Sequence, residues 1–373
     1  MINRRTFTAL LAGTVAAPNR AWSQQVTAKT VFYASTGPEL TVFDVDAGDA
    51  ALQKRSAVTL PANVQYAWPH PSKRYLYVVS SSGGPGVGGT THLASAFRID
   101  PLSGALAPHG EPQSLPSRPI HTSVDRSGEY LLTAYNAPSN VTVHRISGDG
   151  SIGKPISQPD KLDAGIYGHQ IRTTPGNQTA ILVARGNNAA GGKPEDPGAL
   201  KLFGFKRGAL TNLASIAPGT GLGFGPRHLD FHPSQPWVYV SIERQNKLYT
   251  YKLQSDGGLG RDPIFVKDTL ADPANVKPAQ GAGPIHVQTA ASFISPTATR
   301  ARSSSKARRS STAARTTLPY SRSMRRPGSR PSSRPSKATA SICEPSASTR
   351  AVGCSWRQAS GRFRCATTTR SRP

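Results

Sequence analysis

A module of about fifty residues that recurs along the chain constrains the fold more than any other feature. Its first half is a strand, a polar turn and a second strand. Copies run from Tyr66 to Val79, His121 to Thr133, His169 to Ala184 and Arg227 to Ser241. Their turns lie at Pro71, Arg126, Pro175 and Pro233, separated by 55, 49 and 58 residues. The second half is a strand closing on an acidic or glycine turn, as in Thr41-Val42-Phe43-Asp44-Val45-Asp46, Ser95-Ala96-Phe97-Arg98-Ile99-Asp100 and Tyr249-Thr250-Tyr251-Lys252-Leu253-Gln254. Several copies continue into Gly-x-Leu, such as Gly104-Ala105-Leu106 and Gly208-Ala209-Leu210. Apolar residues alternate with period two, and no long helical pattern competes. Four short strands per repeat make a sheet that must bury both faces against its neighbours, which predicts an all-β propeller. About five blades are read before Val287. The first copy lacks its first half, so the N-terminal strand is expected to complete the last blade and close the ring, because an open ring exposes apolar faces.

At Val287 the repeat stops. Residues 288–373 are rich in Ser, Arg, Ala, Thr and Pro, with eighteen lysines and arginines against one acid, Glu344. Most of the formal net charge of +25 therefore belongs to this segment, and residues 1–287 are only mildly basic. All three cysteines (Cys343, Cys354, Cys365) also lie in it, which leaves the body without a disulfide framework or thiolate metal ligands. Such a composition fits a disordered basic tail. The genetic code offers a sharper reading: if each tail codon straddles two true codons, Gln288 to Ser292 can conceal P-N-G-R-F, a copy of the repeat's turn. Thr312 to Arg330 and Lys337 to Ser360 can conceal further strands of the repeat. The segment is thus expected to be the same gene in a shifted frame, hiding the last two blades of a seven-bladed ring. Its arginine clusters would hold phosphates by charge alone, with few aromatics to stack bases, so no specific nucleic-acid partner is expected.

At the other end, Asn3-Arg4-Arg5-Thr6-Phe7 precedes a modest apolar run and small residues near Ala21-Trp22-Ser23. Paired arginines in that setting resemble a twin-arginine export signal. Residues 1–23 are read as that signal and 24–287 as the propeller, and the product is expected in the periplasm or outside the cell. The run is too short to span a bilayer.

Gly225-Pro226-Arg227-His228-Leu229-Asp230-Phe231-His232-Pro233, followed by Trp237-Val238-Tyr239-Val240-Ser241-Ile242-Glu243, resembles the motifs of the β-propeller lactonase family, which includes 6-phosphogluconolactonases. His169-Gln170 ahead of a Pro-Gly-Asn turn supports the resemblance, which covers roughly residues 30 to 287. It implies a seven-bladed propeller that opens a sugar-derived lactone by base-activated water at the channel mouth. His169 and Arg227 each stand six residues before their module's turn proline, and His121 and His228 stand five before their turn positions Arg126 and Pro233, so equivalent positions on successive blades converge at one mouth. Strand alternation lets only one of Arg227 and His228 face the channel, and the family pattern favours Arg227. Glu243 and Arg185 occupy matched loop positions after the second strand, as does Asn136. The resemblance then implies Glu243 or His169 as the base and Arg227 as electrostatic anchor, with Arg185 and His228 as substrate-binding candidates. No cofactor or metal is called for, the partner is a small lactone, and a monomer is expected. The alternative is a non-catalytic exported propeller that binds a ligand or protein at the same mouth. Two further features carry less: Ser80 to Gly89 lacks the Gly-Lys-Ser/Thr ending of a phosphate loop, and Asn177-Gln178-Thr179 fits a glycosylation acceptor that a bacterial-type export signal makes accidental.

Overall fold

The computed structural model describes residues 30–278 and 280–288, together with three strands further along the chain. Six antiparallel four-stranded sheets are found among the described residues. The first contains β1 (Val31–Thr36), β2 (Glu39–Asp46) and β3 (Ala51–Thr59). The second is β4 (Asn63–Pro69), β5 (Tyr75–Ser81), β6 (His92–Ile99) and β7 (Leu106–Ser114). The third is β8 (Pro119–Val124), β9 (Tyr130–Asn136), β10 (Ser139–Ile146) and β11 (Ile152–Pro155). The fourth is β12 (Gly168–Thr173), β13 (Thr179–Ala184), β14 (Ala199–Lys206) and β15 (Ala209–Ile216). The fifth is β16 (Pro226–Phe231), β17 (Trp237–Ile242), β18 (Lys247–Lys252) and β19 (Phe265–Asp268). In the sixth, β22 (Ser292–Thr299) pairs with β20 (Gln280–Ala282), β21 (His286–Gln288) and β23 (Ala314–Leu318). A two-residue strand, β24 (Phe363–Arg364), pairs with β3 and completes the first sheet. The expected export signal and most of the segment read as out of frame lie outside the described residues.

Each apolar core straddles two successive sheets, as a propeller requires. Leu40 and Val42 pack with Leu76, Val78 and Phe97, and Tyr77 and Val79 with Leu131, Tyr135 and Ile146. Further round, Leu132 and Val143 meet Ile171, Leu182 and Phe203, while Ile181, Val183 and Leu202 meet Leu229, Val238 and Val240. Removing this area from water on both faces of the second to fifth sheets is the main stabilising term.

The turn between the first two strands of a blade is tied by one side chain at a fixed position. In the third sheet the buried Asp125 carboxylate accepts hydrogen bonds from the backbone N–H groups of Ser127, Glu129 and Tyr130 at 3.1, 2.8 and 2.8 Å. His232 Nδ1 does the same for Ser234 and Gln235 at 3.1 and 2.8 Å, and His70 Nδ1 for Ser72 at 3.0 Å. Those two histidines are therefore turn caps. Asn177 donates from its side-chain amide to Asp125 Oδ2 at 2.7 Å and accepts from the Arg126 N–H at 3.0 Å, so it clasps two blades.

The Gly-x-Leu endings, and Gly150-Ser151-Ile152 at the same place in the third sheet, lock neighbouring blades together. At Gly150, where φ is +90°, a Cβ would lie 2.4 Å from the ring of Tyr75 in the preceding sheet, and the Gly150 carbonyl accepts the Tyr77 hydroxyl at 2.9 Å. Gly150→Ala combines a left-handed backbone with this overlap and is expected to cost about 2 to 4 kcal/mol of stability, read as a lower denaturant midpoint. An unchanged midpoint would show that the interface yields freely. Gly104 meets Val31 at the start of β1 in the same way. β1 thus takes the place held by β5 in the next blade, although β5 is buried throughout and β1 only in part. The first sheet accordingly begins at a blade's second strand.

Candidate active site

Strands β4, β8, β12 and β16 line the axis, and each carries the same irregularity. The ladder to the following strand slips between Val64 and Tyr66, Pro119 and His121, Gly168 and Gln170, and Pro226 and His228. The residues left at these bulges are Gln65, Ile120, His169 and Arg227. A bulge re-aims a side chain and breaks the two-residue alternation. This corrects the expectation that only one of Arg227 and His228 can serve the channel. Arg227 is freed to approach Glu243, with Nε 3.7 Å from Oε1. The His228 ring lies 5.1 Å from His169, 5.8 Å from His121 and 6.2 Å from Tyr66.

Arg185 and Glu243 each follow the second strand of their blade, and their backbone N–H groups donate to Tyr167 and Gly225 carbonyls at 2.9 Å. Matched positions on adjacent blades bring the two side chains together, and Arg185 Nε donates to Glu243 Oε2. Arg185 is held further by the Gly186 carbonyl at 3.0 Å and by Asn188, with its guanidinium carbon 5.6 Å from the centre of the Tyr167 ring. Arg244 supports the same loop, donating to Asn188 Oδ1 at 2.8 Å and pairing with Glu195. Asn136, at the matched position in the third sheet, ends β9 and pairs with Ser139. All five candidate residues therefore meet at one end of the channel.

Just inside this mouth stand His121, His169 and His228, all buried. Both ring nitrogens of His121 and Nδ1 of His169 and of His228 lack a hydrogen-bond partner. Burial pushes all three well below the ordinary histidine pKa, and neighbouring cations add to it: Arg227 and Arg185 for His169, Arg172 for His121, Arg227 for His228. They are neutral imidazoles at neutral pH. Deeper in the channel, Arg172 pairs with Asp230 at 3.3 Å and lies 4.5 Å from the Trp68 ring centre and 5.6 Å from that of Phe231. Asp230 also accepts the Val287 N–H at 2.8 Å, so this layer is closed by its own contacts. Among the described residues, no cluster of three His, Cys, Asp or Glu is arranged to hold a metal ion.

The sequence points to none of Tyr66, Tyr167 and His286, and it places His121 at the level of His228 without a chemical role. Yet Pro119-Ile120-His121 and Pro284-Ile285-His286 repeat the pattern of Pro226-Arg227-His228, and that recurrence was the available signal. His286 acts electrostatically on both His121 and His228.

The family model for the seven-bladed β-propeller lactonases matches residues 26–304. The chain belongs to the lactonase family of seven-bladed β-propellers. This lactonase-family chain is 30% identical over 237 residues to a protein named 6-phosphogluconolactonase from Pectobacterium atrosepticum, a match covering 64% of each chain. It is 27% identical over 241 residues to one of the same name from Bacillus subtilis, covering 62% of each. The chain thus spans a little under two thirds of the length of these relatives. In fold it is similar to the periplasmic gluconolactonase of Pseudomonas aeruginosa, with a TM-score of 0.57 and 20% identity over 73% of this chain and 79% of that one.

Proposed function

We propose that this lactonase-family chain hydrolyses a sugar-derived lactone at the channel mouth. The reading is carried by the Glu243 carboxylate held between Arg185 and Arg227 beside the neutral imidazole of His169. Opening a lactone needs a water molecule deprotonated as it attacks the ring carbonyl, and donors where the carbonyl oxygen gains charge. His169 is the base, because of the two candidates it is the one both unprotonated at neutral pH and not already committed to an ion pair. The burial and cations that keep it neutral also weaken it, so Arg227 must carry part of the barrier by meeting the oxyanion. Glu243 has both oxygens facing guanidinium groups, so its work is to orient them. Arg227, which keeps 27% of its side chain exposed, meets the developing oxyanion. The tetrahedral adduct then collapses with the ring oxygen leaving, and the imidazolium returns its proton to that oxygen. Arg185 steadies Glu243, and His228 packs edge-on against His169.

The names of the curated relatives support a lactone as substrate. The test is acid release by the full chain from glucono-δ-lactone, 6-phosphogluconolactone and a glucarolactone, measured against the spontaneous rate. Acceleration of at least one is expected; acceleration of none would end the lactonase reading.

Two further parts of the proposal concern the chain's ends. The paired arginines Arg4-Arg5 direct export, and a chain confined to the cytoplasm on cell fractionation would refute this. Residues 288–373 continue the propeller in a shifted frame, which resequencing of codons 280 to 373 decides directly.

A further inference from the structure

We infer that Arg118 is a specificity residue that grips a second anionic group on the substrate, so that the site suits lactones of acid sugars bearing a carboxylate or phosphate remote from the lactone carbonyl. The inference rests on the lactonase reading of His169, Arg227 and Glu243. Arg118 immediately precedes β8, at the same end of the channel as the four bulges. β8 packs between β4 and β12, so around the ring Arg118 stands on one side of His169 and Arg227 on the other. The bulge residue of β8 is the apolar Ile120, whereas its neighbours offer Gln65, His169 and Arg227. Arg118 supplies the polar group that this sector would otherwise lack.

Its orientation is set from the neighbouring blade. Arg118 Nε donates to the side-chain oxygen of Gln65 at 2.9 Å, a bond between residues 53 apart in sequence. That bond fixes the guanidinium plane and leaves its two terminal amino groups for a ligand. Among the described residues no carboxylate pairs with Arg118, while Arg172, Arg185, Arg227 and Arg244 each have one. Among the described residues the mouth therefore sets three guanidiniums, Arg118, Arg185 and Arg227, around the carboxylate of Glu243, with only Arg185 and Arg227 paired to it. Arg118 is also near enough to His169 to act on it electrostatically. A half-buried, pre-oriented guanidinium with an excess of positive charge around it matches the planar carboxylate or the phosphate of a sugar acid.

The experiment compares three lactones in the full chain and in Arg118→Ala and Arg118→Lys: glucono-δ-lactone, a glucarolactone and 6-phosphogluconolactone. Arg118→Ala is expected to lower kcat/KM for the anionic lactones about 10- to 100-fold relative to the neutral one, mainly through KM. Arg118→Lys keeps the charge but loses the fork held by Gln65, and recovers part of that ratio. The better anionic substrate of the wild-type chain identifies carboxylate or phosphate as the group held. A ratio unchanged in Arg118→Ala, or an equal loss on all three lactones, overturns the inference. If the wild-type chain accelerates none of them, calorimetry with gluconate, glucarate and 6-phosphogluconate separates the two readings. A preference for the diacid or phosphate that Arg118→Ala abolishes upholds the grip while the lactonase reading falls; no preference removes both.

Discussion

Lowering the pH from 7.5 to 5.5 is expected to destabilise the fold and to lower its urea midpoint of unfolding, one of the largest changes a mild shift in conditions should cause. The main cause is four buried histidines, with a smaller contribution in the same direction from the partly buried His232. Burial lowers His144 to about 4, and His121, His169 and His228 lie well below their ordinary value. Cations face them in the fold: Arg172 near His121, Arg227, Arg185 and Arg118 near His169, and Arg227 near His228. In the unfolded chain each imidazole takes up a proton as the pH falls through about 6.5, while the folded chain refuses it. Stability contributed by a depressed histidine is thus complete above about 6.5 and declines by about 1.4 kcal/mol per pH unit for each group below it. The depressed carboxylates of Glu39, Asp100, Asp149 and Asp163 act in the same direction but only below about 4, so the window from 6.5 to 5 belongs to the histidines. Urea midpoints at pH 7.5, 6.5 and 5.5 measure the effect, and His121→Asn should reduce the slope by one proton. A midpoint flat across this range would mean that water reaches these rings in the folded channel.

His169→Asn is expected to lower kcat by about 100- to 10,000-fold, the usual worth of a positioned general base. Glu243→Gln keeps the shape of the carboxylate but releases Arg185 and Arg227, so it should act more on KM and lower kcat only about tenfold. The reverse order of the two variants would make Glu243 the base. Because His169 is held neutral by burial, Arg227 and Arg185, kcat/KM should show no acid limb near pH 6.5. Activity should instead fall together with the unfolding curve, and a separate limb at 6.5 would contradict a buried base.

The two predictions compete for the same residues. Burial keeps these histidines unprotonated, which leaves His169 able to take a proton but weakens it as a base, and the same burial makes the fold sensitive to acid. Asp125, by contrast, sits far from this conflict: three backbone N–H groups and the Asn177 amide converge on its carboxylate, and its work is to fix a turn.

Much of the architecture was legible before any coordinates. The fifty-residue recurrence predicted the blades because a four-stranded sheet with two apolar faces can only be buried by copies of itself. Counting back from the turns placed His169 and Arg227 at one level, and the matched positions of Arg185 and Glu243 were visible too. What alternation could not reveal was the bulge in each inner strand, since a slipped hydrogen bond is set by the partner strand and not by local composition. That slip lets Arg227 and His228 both serve the channel. Arg118 is hidden in the sequence for a related reason: its partner, Gln65, lies a whole blade away, and only the packing of successive sheets makes them neighbours. The blade is a local property of some fifty residues, so the sequence by itself determined it; the site is a contact among blades, so only the tertiary structure decided which side chains share it.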